Sequence, residues 1–109
     1  MLKLLIIFVI VTTLNACATG SAVVTGTRRQ PLDPSMVRMY SKPPTEYEVI
    51  GVVKASSEMG ITEQLSMDYA VEELKKQAAA IGANGLVITG VGGRGEDAAV
   101  AAEAIFVKQ

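Results

Sequence analysis

The chain contains no histidine and a single cysteine, Cys17. Without an imidazole, Ser-His-Asp and Cys-His catalysis, His-ligated zinc and a histidine pH switch are all excluded within the chain. Two other groupings carry residue types that do chemistry elsewhere. Gly90-Val91-Gly92-Gly93-Arg94-Gly95 has the glycines of a phosphate cradle, with backbone amides and Arg94 as anion donors. A cradle opens a long helix bearing a Lys-Ser/Thr pair, or sits in a βαβ unit with an acidic residue further on. Neither follows here, and a hairpin turn is the plainer reading. Glu72, Glu73, Lys75 and Lys76 bring acids and bases together, but on a helix Glu72 and Lys76 are i, i+4 neighbours that stabilise a solvated face. The serines offer no Ser-x-x-Lys spacing, and the carboxylates are too scattered to converge on a hard ion. The expectation is a protein that is not an enzyme and has no cofactor and no metal site.

The elements that would position any site are legible from periodicity. Tyr47 to Ala55 is the strongest strand, with Val49 and Val53 assigned to one face and Ile50 and Val52 to the other. Both faces are apolar, so it is expected to be central and covered on both sides. Thr62 can cap a helix from about Glu63 to Ile81, stopped by Gly82. Met67, Ala70, Val71, Leu74, Ala78 and Ile81 recur at i, i+3, i+4, i+7 and form its core stripe. Leu86 to Val91 reads as a second buried strand. The glycine-rich turn Gly92 to Asp97 then leads to a closing strand of about Ala102 to Lys108. Ala98 to Ala104 also suits a helix by propensity. Met36 to Tyr40 alternates as a further strand, ended by Pro43-Pro44.

These elements predict an α+β domain, one long helix packed on a small mixed sheet of about four to five strands, ordered strand-strand-helix-strand-strand. At 109 residues the chain is one domain at most. Residues 17–35 are small and polar with two prolines and read as a tether, within which Ala22 to Thr27 can pair as a short edge strand. The domain proper is expected over residues 36–109. Arg28 and Arg29 in the tether suit an anionic headgroup, although a solvated linker explains two charges as well.

Ten Lys+Arg stand against eleven Asp+Glu, for a net charge of −1. That balance lacks the basic footprint that phosphate backbones select, so nucleic acid is not an expected partner. One helix covers only one face of a sheet whose strands are apolar on both. The second face therefore calls for a cover: the tether, another copy or a different protein. Ile61, Leu65 and Tyr69 form a second apolar stripe opposite the core stripe, read either as a strip for partner contact or as side chains tucked under the loop at the helix start.

The N-terminal residues give an address. The run Leu4 to Leu14 follows Lys3 and ends at Asn15, the layout of a signal peptide over residues 1–16. It falls well short of the about 20 apolar residues that a spanning helix needs. Leu14-Asn15-Ala16-Cys17 resembles the lipobox of bacterial lipoproteins. The resemblance implies cleavage before Cys17, a diacylglyceryl group on its thiol and acylation of the new amino terminus, so that membrane lipid becomes a partner through acylated Cys17. Two or more acyl chains hold stably where one does not. An ordinary small residue near a cleavage site is the other reading of Cys17. Ala18 is not the aspartate that retains such proteins in the inner membrane, which implies the periplasmic face of the outer membrane. With its cysteine lipidated, the domain has no thiol for a disulfide and stands on its core.

Tyr47-Glu48-Val49-Ile50-Gly51 followed by Ala78-Ala79-Ala80-Ile81-Gly82-Ala83-Asn84-Gly85-Leu86-Val87-Ile88 resembles a pattern of small bacterial envelope lipoproteins, the relatives of the stress sensor RcsF and the YbjQ-like proteins once described as heavy-metal-binding. It spans about residues 46–91 and is a structural signature. Gly82 and Gly85 fit a helix that stops and re-enters the sheet within three residues, where left-handed or unusual backbone angles are needed. The RcsF relatives have a disulfide framework that this chain cannot form, so fold transfers where signalling does not. The function expected is that of a non-enzymatic, lipid-anchored envelope protein acting through a protein partner or as a homo-oligomer. The alternatives are a small-ligand or metal-ion binding module in the YbjQ-like manner, or an accessory of envelope stress signalling.

Overall fold

A computed structural model of the chain describes residues 19–57, 63–92 and 98–108. Five strands, β1 (Thr19–Val24), β2 (Arg38–Tyr40), β3 (Glu48–Ser57), β4 (Gly85–Gly92) and β5 (Ala98–Phe106), form one mixed sheet with one α-helix, α1 (Glu63–Ala80). The order across the sheet is β1-β3-β5-β4-β2. β5 runs antiparallel to both β3 and β4, and β2 adds parallel to β4. β3 and β4, the strands that flank α1 in sequence, therefore point the same way with β5 between them. This is the expected α+β class, with a different strand order: β5 is central, and β3 is interior between β1 and β5.

α1 lies on one face. Ala70, Leu74, Ala78 and Ile81 of the predicted stripe are buried against Ile50, Val53, Ala55, Leu86, Val100, Ala102 and Ala104, while Met67 packs at the margin. The facing residues of β5 are mostly alanine, which lets a helix backbone approach the sheet closely. That contact explains why Ala98–Phe106 is strand along its whole length in spite of a helix-favouring composition. Ordering it between β3 and β4 satisfies both of its backbone edges, which outweighs propensities of a few tenths of a kcal/mol per residue.

The face assignment of β3 changes in the structure. Ile50 and Val53 are both wholly buried, whereas Val49 and Val52 are exposed. Residues three apart share a face only if the strand is irregular, and the β3–β5 register does slip between Val49 and Gly51. The bulge at Ile50 turns that side chain inward and carries the core residues of β3 onto one side. The expectation of cover on both faces is not met among the described residues, whose one helix lies on the Ile50 side.

The segment read as a tether belongs to the sheet and its margin. Thr19–Val24 pairs with β3 from Thr19↔Ser56 to Val24↔Gly51, an edge strand three residues earlier than Ala22 to Thr27. The chain then straps the C-terminal end of α1: Arg29 N–H donates to Ile81 O at 3.0 Å and Leu32 N–H to Ala79 O at 2.9 Å. Asp33 caps a 3₁₀ turn at Pro34–Met36 by accepting from Ser35 N–H at 2.9 Å, and the chain enters β2.

Candidate interaction surface

The junction from α1 to β4 organises everything around it. Gly82 has φ +84°, its N–H bonds Ala79 O at 3.0 Å, and Ala83 N–H bonds Ala78 O at 3.0 Å. This pair of bonds about a left-handed glycine is a Schellman cap. Gly85 has no positive φ; the expectation of an unusual backbone angle holds at Gly82 alone. Space is what Gly85 supplies, since a Cβ there would stand 2.8 Å from Tyr40 Cε2 and 2.9 Å from Ile105 Cγ1. Asn84 latches the junction to the far end of β5, its side chain exchanging two bonds with the Val107 backbone.

The sheet face opposite α1 carries no second layer among the described residues. Its side chains follow from the register. One row crosses all five strands as Val23, Val52, Glu103, Val87 and Tyr40. The adjoining rows are Ser21, Lys54, Ala101 and Gly90, and then Thr19, Ser56, Ala99 and Gly92. Val23 is 62% exposed and Val52 37%. A Cβ at Gly90 or Gly92 would meet open space, so neither glycine is required by a described neighbour. Beside them lies a shallow hollow of about 520 Å³ lined by Lys54, Ser56, Gly90, Gly92, Ala99 and Ala101, among others. The surface is apolar at the Val23–Tyr40 row and small-residued toward the Thr19 end, with one acid and one base near its middle.

A second grouping closes the opposite end. Arg29 pairs with Glu48 at 2.9 Å and places its guanidinium 3.7 Å from the centre of the Phe106 ring. Both charged side chains are more than two-fifths exposed, so the pair contributes little through charge. The stacked geometry holds the strap over β5. Tyr47, Glu46 and Lys108 complete a hollow of about 350 Å³ there.

Of the sequence-derived candidates, Cys17, Ile61, the Thr62 cap and Arg94 lie outside the described residues. Leu65 is half-buried and Tyr69 is 39% exposed on α1. The structure thus separates this stripe from the core stripe. Among the described residues no group of three or more Asp, Glu or Cys side chains is placed to hold a metal ion. No described helix is long and apolar enough to cross a membrane. Sequence reasoning sets the edge strand β1 three residues late, at Ala22 to Thr27, and misses the latch at Asn84. The first has no alternation to fix its bounds, and the second is visible only once β5 is known to end beside the helix cap.

Among the described residues, a single helix lies on one face of a five-stranded mixed sheet and leaves the other face open, which defines a small α+β fold. No protein-family model matches the sequence, and no curated protein sequence matches it. Among solved structures, the chain is similar to the Francisella virulence factor FvfA, with a TM-score of 0.62 and 23% identity over 80% of this chain and 96% of that one. At that identity the likeness establishes a common fold.

Proposed function

We propose that this chain is a non-enzymatic, lipid-anchored protein of the bacterial cell envelope that works through protein contact. The observation that carries the reading is the Leu14-Asn15-Ala16-Cys17 motif immediately before a domain whose sheet leaves Val23, Val49 and Val52 uncovered. Acylation at Cys17 supplies the anchor. Only Ala18 separates that residue from β1, so at most about 7 Å of chain links the lipid to the sheet. Such a domain would sit against the membrane surface instead of ranging from it on a long tether. The outer-membrane periplasmic face follows from Ala18 in the lipobox resemblance, and kinship with the RcsF and YbjQ-like lipoproteins belongs to the same reading. In its support, the fold is one that a bacterial virulence factor also uses, and Gly82, Asn84 and Gly85 of the signature each meet a structural need of the junction.

The test is Cys17→Ser in the full chain, followed by labelling with a fatty-acid analogue and membrane fractionation. Loss of label and release from membranes is the expected result. Unchanged label and unchanged fractionation would sink the anchoring claim.

A further inference from the structure

The two edges of the sheet differ. β2 is three residues long and runs into Ser41-Lys42-Pro43-Pro44, a charge and two residues without amide hydrogens, features that blunt an edge. β1 is twice as long, Thr-Gly-Ser-Ala-Val-Val, with no charge and no proline. Its pairing to β3 leaves one side of its backbone without a partner strand among the described residues. Thr25 N–H donates to Ile50 O at 2.9 Å, and this bond sets the alternation of an antiparallel ladder: with Val24 opposite Gly51, the amides of Gly20, Ala22 and Val24 point away from β3. No described strand lies beyond them.

We infer that β1 is the self-association edge, pairing antiparallel with β1 of a second copy about a two-fold axis at Ala22. This deepens the contact reading of the preceding subsection by naming the partner, and it does not depend on the lipid. The register is set by which amides are free. Gly20 opposes the partner's Val24, Ala22 opposes the partner's Ala22, and Val24 opposes the partner's Gly20, three mutually bonded pairs with about six interchain hydrogen bonds. An edge with no charge and no proline meets neither like-charge repulsion nor a missing amide when it pairs with itself, as an isologous contact requires. On the open face the exposed Val23 comes beside Ser21 of the partner, a pairing without steric or charge conflict. The axis is normal to the sheet, so both chains leave β1 in one plane and two lipid anchors would enter the same leaflet.

The test uses the full chain with Ala22→Cys. Directly opposed, bonded residues have Cα atoms about 5.5 Å apart, within the range that a disulfide spans. Mild oxidation in membranes is expected to give a covalent dimer at residue 22. A parallel Cys17→Ser, Ala22→Cys chain keeps the result independent of acylation: if the unsubstituted chain crosslinks through Cys17, the lipid reading fails while the residue-22 crosslink still decides the edge. Val23→Lys, and separately Ala22→Pro, are expected to lower dimer association at least tenfold by sedimentation, with circular dichroism confirming that each variant remains folded. A chain that is monomeric at all concentrations overturns the inference. So does a Val23→Lys dimer of undiminished affinity, or a residue-22 crosslink to another protein with none between copies.

Discussion

Asn84 and Val107 exchange two hydrogen bonds, Asn84 Nδ2 donating to Val107 O at 2.8 Å and Val107 N–H donating to Asn84 Oδ1 at 2.7 Å. A carboxamide presents a donor and an acceptor in the same relation as a peptide group, so Asn84 extends the β4–β5 ladder with its side chain. Its own backbone is also spoken for: Asn84 N–H bonds Ile105 O, and Arg38 N–H bonds Asn84 O. One residue thus ties β2, β4 and β5 at the end of the sheet where α1 terminates.

Replacing Asn84 by Ala removes both side-chain bonds and strands two half-buried backbone groups. A loss of about 2 kcal/mol is expected from such unsatisfied groups, read by urea denaturation. Asn84→Asp keeps the acceptor and sets an oxygen against Val107 O, so it should be no better than Ala. Full retention of stability in Asn84→Asp would show that the donor half of the latch is idle.

Gly82→Ala places a Cβ at positive φ, which costs roughly 1–2 kcal/mol on its own. The same Cβ would stand 2.5 Å from the carbonyl carbon of Arg29 and 2.6 Å from its oxygen, so the strap must lift. A loss of at least about 2 kcal/mol is expected, together with faster amide exchange at Arg29 and Leu32, whose bonds to Ile81 and Ala79 anchor that strap. Exchange unchanged at those two amides would contradict the strap.

Leu74 and Tyr69 distinguish the two stripes of α1. Leu74 is wholly buried and Tyr69 is not. Leu74→Ala is expected to cost about 3 kcal/mol through lost burial and cavity formation, and Tyr69→Ala under about 1 kcal/mol. Equal losses in denaturant would make the Leu65–Tyr69 stripe a part of the core.

Asp33 gives a pH dependence of known sign. Its carboxylate accepts from the backbone N–H and side chain of Ser35, which hold its pKa below the ordinary 3.8. A depressed pKa in the folded state means that the contribution of Asp33 to stability is fully present above pH 3.8 and is lost as the pH falls through the lower folded value. Carbon NMR titration of the Asp33 carboxyl should show a midpoint under 3.8, and Ser35→Pro, which removes the donating N–H, should raise it. A midpoint at or above the ordinary value would remove the cap from the account.

The residues that sequence alone placed well are those whose neighbours are local. Leu74 and Ala78 share a face because of the helical period, and Gly82 ends the helix because only glycine takes φ +84° without strain. Strict alternation puts Val52 and Ile50 on one face, yet they lie on opposite faces, since a bulge answers to the partner strand and leaves no mark in the alternation of one strand. Asn84 was legible as a turn residue and not as a latch, because its partner lies 23 residues away.

What the sequence determined by itself is the set of elements in the domain, its fold class, and the absence of any imidazole chemistry. Periodicity and capping act over one or two turns, and composition acts over none, so both can be read without a structure. Tertiary structure decided the strand order, the central place of the alanine-rich β5 and the recruitment of Thr19–Val24 to the sheet. Those outcomes rest on backbone pairing between distant segments, above all Thr19 with Ser56 and Ala102 with Val53. Such pairing depends on which edges remain free after the other strands have paired, and no window along the chain contains that information.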